Sequence, residues 1–134
     1  MNDEPDWQGL ARKLIEQAYW NVFYHEERLA VEHRKLGLVQ SLIIRTGVPV
    51  NMERARNVFD DDEEGQELIS SEDVALHTLG AAMNGVCYHE DELRDAYRAL
   101  AKTKALLIRA GMEDVAPFDK AEEAARERLA KSRK

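Results

Sequence analysis

With 134 residues, 44% of them hydrophobic, the chain is the length of one domain and carries enough apolar surface for a core if its helices pair tightly. Its formal charge of -7 argues against a general grip on nucleic acid or on an anionic membrane, since both need a basic surface. One cysteine, Cys87, excludes an intrachain disulfide and a cysteine-rich zinc cage; with no secretory signal in the acidic opening and no stretch near the ~20 apolar residues of a spanning helix, a cytoplasmic protein is expected.

From residue 6 to about 46 the pattern is helical, with Ile15, Tyr19, Val22, Glu26, Leu29, His33 and Leu36 alternating by four and three positions, which is a heptad seam. Asp3 is placed as the cap, with Pro5 in the first turn, where its missing amide hydrogen costs little. Gly37 is a candidate kink, and Gly47 followed by Pro49 should stop the helix. A short helix at 52–59 and an acidic loop at 60–65 are expected next, and neither resembles a domain boundary.

Ser70-Ser71-Glu72-Asp73 supplies a cap and early negative charge for a second long helix, and Gly111 is a natural left-handed terminator. Between them Leu76, Leu79, Met83, Val86, Glu90, Leu93, Tyr97, Leu100, Lys104 and Leu107 keep the same alternation. At ~1.5 Å per residue each helix would be roughly 60 Å long. Asp119 with Glu122 has capping-box spacing for a last helix, whose face of Ala121, Ala125 and Leu129 is weak enough to suggest loose docking. The 119–134 segment carries a net charge of +2 on an acidic protein, which could steer contact with an acidic partner.

The tripeptide Tyr-His-Glu occurs twice, as Tyr24-His25-Glu26 and Tyr88-His89-Glu90, and the flanks agree by pairing Val22 with Val86, Leu29 with Leu93, Arg34 with Arg98 and Leu36 with Leu100. Each copy puts a glutamate at a seam position and a histidine one residue earlier, about 100° around the helix. Two carboxylates facing one another in a poorly solvated core repel, which raises their affinity for a proton or a cation. His25, Glu26, His89 and Glu90 are therefore candidate ligands of a divalent metal. Two copies of the chain would assemble a set similar to that of the ferritin-like dinuclear carboxylate bundles. That class also uses Glu-x-x-His, whereas this chain has His89-x-x-Glu92, in reverse order. The structural alternative is a polar layer in which Glu26 and Glu90 bond to Tyr, His, Arg28, Arg94 or Lys104 and fix the register. His33, opposite its repeat partner Tyr97, is expected to be a hydrogen-bonded core histidine.

Other patterns rank lower. Glu26-Glu27 with Glu92-x-x-Asp95 resembles the all-α nucleotide pyrophosphatases of the MazG type, which implies magnesium held between helices, although Ala30 stands where the third acidic ligand belongs. Asp60, Asp62, Glu64 and Gly65 have the spacing of an EF-hand loop, which then fails at Glu67 and Ser71. Arg28 and His33 resemble the Arg-x4-6-His pattern of HEPN ribonucleases, with no supporting polar residue. Cys87 reads as packing. The run Gly80-Ala81-Ala82-Met83-Asn84-Gly85 demands a close contact, since each helical glycine costs on the order of 1 kcal/mol. Tyr24 and Tyr88 fall at outer heptad positions.

The expected fold is all-α: a long antiparallel helical hairpin with short accessory helices, assembling into a four-helix bundle as an oligomer. Residues 1–118 would form the hairpin domain and 119–134 a basic C-terminal helix or tail. The expected function is non-enzymatic: a homo-oligomer that binds another macromolecule as a regulator or assembly adaptor. The alternative is a metal-binding carboxylate and histidine bundle, ferritin-like or MazG-like.

Overall fold

The computed structural model describes residues 5–47 and 71–132. The expected helix at 52–59 and the loop at 60–65 with its EF-hand-like spacing lie outside them, as do Asp3, Pro49 and Ser70. Among the described residues there are three α-helices and no strand: α1 (Trp7–Thr46), α2 (Ser71–Arg109) and α3 (Phe118–Ser132). No described helix is long and apolar enough to cross a membrane.

The helix ends follow from their capping residues. Asp6 caps α1, accepting the Gly9 amide at Oδ1 (2.9 Å) while its own carbonyl takes the Leu10 amide (2.9 Å). Pro5 stands immediately before this cap. At the other end Gly47 takes a φ of 74° and donates to the Ile43 carbonyl at 3.1 Å, the left-handed stop that the sequence predicts. Gly37 sits within a continuous α1.

Gly111, with φ 69°, ends α2 in a Schellman motif: its amide bonds Ile108 O at 3.1 Å and the Met112 amide bonds Leu107 O at 2.9 Å. Leu107 is buried, and Met112 packs against the same core. In α3 the carbonyl of Pro117 accepts the Ala121 amide at 3.1 Å, so Pro117 holds the capping position. Asp119, expected as the cap, instead lies in the first turn, where its charge complements the helix dipole.

Two compact units divide the described chain, one holding residues 5–27 and 91–132, the other 28–47 and 71–90. In the first, Ile15, Tyr19 and Val22 of α1 pack with Leu100 and Leu107 of α2 and with α3. The weak face of α3 is covered: Ala121, Ala125 and Leu129 are all buried. Cations over aromatic rings add to the contact. The Arg126 guanidinium lies 4.0 Å from the Phe23 ring and that of Arg128 4.9 Å from the Trp20 ring. Arg128 also donates to Gln17 Oε1 at 2.6 Å, and Trp20 stacks on Tyr24 at 5.0 Å. In the second unit Leu76, Leu79 and Met83 pack against Leu36, Val39 and Ile43. Ile15, Leu76 and Leu79 are the largest fully buried side chains, each worth about 1.5–3 kcal/mol of transfer free energy.

Of the seventeen expected seam positions four are exposed, Glu26, His33, Glu90 and Tyr97. On α1 the sheltered residues step by four and three through Ala11, Ile15, Ala18, Val22, His25, Leu29, Glu32, Leu36, Val39 and Ile43. On α2 one such row runs through Ala75, Leu79, Ala82, Val86, His89, Leu93, Ala96, Leu100, Thr103 and Leu107, with Leu76 and Met83 beside it buried as well. The α2 set is the α1 set displaced by 64 positions, the offset of the Tyr-His-Glu repeat. The Ile15-Val22-Leu29-Leu36 and Leu79-Val86-Leu93-Leu100-Leu107 rows are as expected. The alternate row is buried as expected at Tyr19, Leu76 and Met83, whereas around the repeated tripeptide the residues one position earlier, His25, His89 and Ala96, are more sheltered than Glu26, Glu90 and Tyr97. Glu26, Glu90 and His33 are exposed, correcting their assignment to the core. A carboxylate loses more than an imidazole on leaving water, so this phase is the less costly one.

Candidate functional site

The two repeat copies reproduce one local geometry. Tyr24 meets the His25 ring edge-on at 5.1 Å, and Tyr88 meets His89 edge-on at 5.0 Å. In each histidine Nδ1 is buried. His25 has a side chain only 18% exposed, and its Nε2 stands 4.0 Å from Glu92 Oε2 on α2. Tyr24 packs against the first unit's core and Tyr88 is exposed, so only the second occupies the outer position expected of both.

Glu26 points away from the seam and accepts a hydrogen bond at Oε1 from the Tyr97 hydroxyl. That bond, then burial, then the charge of Glu26 raise the Tyr97 phenol above its ordinary value of 10.0. Glu26 thus has a tyrosine partner, as the polar-layer alternative expects, but both residues are exposed and not in the core. Glu90 is exposed in the second unit. Among the described residues no group of three or more His, Cys, Asp or Glu side chains is gathered in a way that could hold a metal ion. This includes Glu26, Glu27, Glu92 and Asp95, the residues behind the pyrophosphatase resemblance. His33 is exposed, Arg28 Nη2 instead lies 3.9 Å from Glu32, and Cys87 is exposed rather than packed.

The small-residue run does meet a close contact. A β-carbon on Gly85 would stand 3.1 Å from Glu32 Cδ, with the carboxylate oxygen closer still. Lys35 Nζ holds the same carboxylate at 3.5 Å. The glycine therefore makes room for a half-buried acidic side chain from α1.

Two surface features are absent from the sequence reading. The second unit leaves an apolar row in water: Leu38 is 66% exposed, Leu42 55% and Tyr88 57%, with Val74 also exposed. A groove of about 420 Å³ beside it is lined by Lys35, Leu38, Ala81 and Ala82. The seven-residue spacing of Val74, Ala81 and Tyr88 could have signalled it. The first unit carries a larger groove of about 590 Å³ between the start of α1, the turn after α2 and the start of α3. The adjacent cations Arg12 and Lys13 were its trace in the sequence.

Comparison with protein-family models, with curated proteins and with solved structures returns no match.

Proposed function

We propose that this is a non-enzymatic, oligomerising helical protein that acts by binding another macromolecule, as a regulator or assembly adaptor. In this reading α1 and α2 fold back as a long antiparallel hairpin, and two copies complete a four-helix bundle. The carrying observation is the exposed row of Leu38, Leu42, Val74 and Tyr88 in the second unit. Large apolar side chains in contiguous rows on a soluble surface mark interaction sites, because water leaves them at a free-energy gain. Ala81 and Ala82 in the adjoining groove let a second helix pair approach closely. The basic residues of 119–134, with Lys120, Arg126, Arg128 and Lys131 all exposed, suit an acidic macromolecular partner.

Light scattering at micromolar concentration tests the assembly. The wild type is expected at twice the chain mass or more, and Leu38→Glu/Leu42→Glu at the monomer mass with its helical circular dichroism retained. A monomeric wild type would remove both the bundle and the role given to the apolar row.

A second reading makes His25, Glu26, His89 and Glu90 ligands of a divalent metal shared between copies. The approach of the His25 imidazole to Glu92 favours it, since an imidazole beside a carboxylate is a metal-ligating pair. Because one chain gathers no three such groups among its described residues, the centre would need the second copy.

A further inference from the structure

We infer that the open face of the second unit is closed by a second copy of this chain in one orientation: α1 of each copy lies antiparallel on α2 of its partner, about a two-fold axis that runs along the helices. The inference rests on the two-copy reading above and adds which helix meets which. A second row of residues lies about 100° around each helix from the sheltered one. On α1 it includes Lys35, Leu38 and Leu42, and on α2 Val74, Thr78, Ala81 and Tyr88; each stands one residue before a sheltered position, and all seven are exposed. Lys35 and Leu38 line one groove with Ala81 and Ala82, so the two rows border the same face, with Leu38 and Ala81 at one level. Leu38 is 66% exposed and Leu42 55%, which leaves apolar area for a partner to cover. Covering Thr78 strands no donor, because its hydroxyl already bonds the Val74 carbonyl at 2.7 Å.

Size and charge both select the orientation. The α1 row is bulky at Leu38 and Leu42, whereas the α2 row is small at Thr78 and Ala81. Helices pack when the ridge of one fills the groove of the other. A two-fold axis along the helices sets Leu38 of one copy over the partner's Ala81, and the symmetry makes the contact twice. An axis across the helices instead stacks leucine on leucine and leaves alanine facing alanine.

The charges follow the same division. Residues 28–46 of α1 carry Arg28, Arg34, Lys35 and Arg45 against one acid, Glu32, whereas residues 71–90 of α2 carry Glu72, Asp73 and Glu90 and no lysine or arginine. Within one chain the basic helix segment already packs against the acidic one. Laying α1 on the partner's α2 continues that alternation around all four helices. Laying α1 on the partner's α1 brings two basic segments together, and like charges across an interface oppose its formation.

Oxidative cross-linking of full-length chains tests the orientation. Two variants, Cys87→Ser/Leu38→Cys and Cys87→Ser/Ala81→Cys, each carry one thiol at an exposed position, and their helical spectra should match the wild type. Mixed in equal amounts and oxidised, they should give a disulfide between unlike chains, resolved by mass. That product should outweigh either self-disulfide by roughly tenfold or more, because cysteines with Cα atoms more than about 7 Å apart cannot be bridged. A second variant reads the charges: Arg34→Gln/Arg45→Gln changes two exposed side chains and should raise the dimer dissociation constant by roughly tenfold, measured by light scattering on dilution. Self-disulfides of the Leu38→Cys chain in equal or greater yield would overturn the orientation, as would a dimer that forms no mixed disulfide. A tighter dimer in the glutamine variant would do the same, since it would mean that the basic segments face one another. Each of these results leaves the two-copy assembly standing, whereas a monomeric wild type removes the assembly and the orientation together.

Discussion

The Tyr97 hydroxyl on α2 donates its hydrogen to Glu26 Oε1 on α1, within the first compact unit. A neutral phenol is the donor, so the bond exists only while Tyr97 keeps its proton. The bond itself, partial burial and the neighbouring carboxylate charge all hold the phenol above its ordinary value of 10.0. A group whose pKa is higher folded than unfolded gives stability that is full below the unfolded value and lost as pH rises through the folded one.

Tyr97→Phe should therefore lose a constant, small margin of stability from neutral pH up to about 10. Above that the wild type should converge on the variant as the phenol ionises. The margin is small because the Tyr97 side chain is largely exposed and water screens the interaction. Urea denaturation of both proteins on either side of pH 10 reads it. A margin that persists unchanged at high pH would mean that Tyr97 stabilises through its ring and not through the bond to Glu26.

Two glycines should respond to alanine with opposite signs. Gly37 lies in the interior of α1, and a β-carbon there meets nothing within 4 Å. Gly37→Ala removes backbone freedom from the unfolded chain and should stabilise by up to about 1 kcal/mol. Gly111 closes the Schellman motif at φ 69°, where a side chain crowds the carbonyl that follows. Gly111→Ala should cost about 1–2 kcal/mol. Thermal melts of the two variants decide it, and equal shifts would contradict the backbone geometry assigned to Gly111.

Gly85→Leu should cost about 1–3 kcal/mol, because the new side chain must displace Glu32 from its place over the glycine. Gly37→Leu enters open space and should be neutral or stabilising. The Gly85 penalty should shrink when Glu32 is also changed to Ala, which empties the space. A double-mutant cycle by chemical denaturation measures that coupling, and additive effects would show that Glu32 is not what Gly85 accommodates.

The helix ends were legible because glycine announces a left-handed stop whatever surrounds it: Gly47 and Gly111 both take positive φ. Most of the seam was legible for a similar reason, since Ile15, Val22, Leu100 and Leu107 are large apolar residues whose spacing leaves little choice. The stretch around the repeated tripeptide was misread because its sheltered positions hold small or polar residues. Ala11, Ala18 and Ala96 contribute little apolar area to a periodicity, yet their size lets neighbouring helices approach. Tyr19, Leu76 and Met83 of the expected alternate row are buried. Tyr19 is buried as the seam pattern expects, with Lys104 5.0 Å from its ring and α3 completing the same core. Between His25 and Glu26 the sequence offers two adjacent polar residues and no apolar preference to separate them. Desolvation makes the choice, and it acts only once the helices pack.

The seam phase and the metal reading can be tested with the same proteins. Glu26 and Glu90 are exposed, so Glu26→Gln/Glu90→Gln should stay within about 0.5 kcal/mol of the wild type, Tyr97 still finding a side-chain oxygen at position 26. His25 and His89 occupy the sheltered row with Nδ1 buried, so His25→Ala/His89→Ala should lose about 1–3 kcal/mol through lost packing. Without a metal centre, added Mn or Zn leaves all three melting temperatures where they were. With a centre shared between copies, a metal at a hundred times its dissociation constant would stabilise the wild type by about 2.7 kcal/mol and the glutamine variant by much less. That outcome would replace the polar layer with a metal site and move the functional reading to the carboxylate bundle. A glutamine pair that destabilises more than the alanine pair, with or without metal, would return the glutamates to the seam and overturn the one-residue shift.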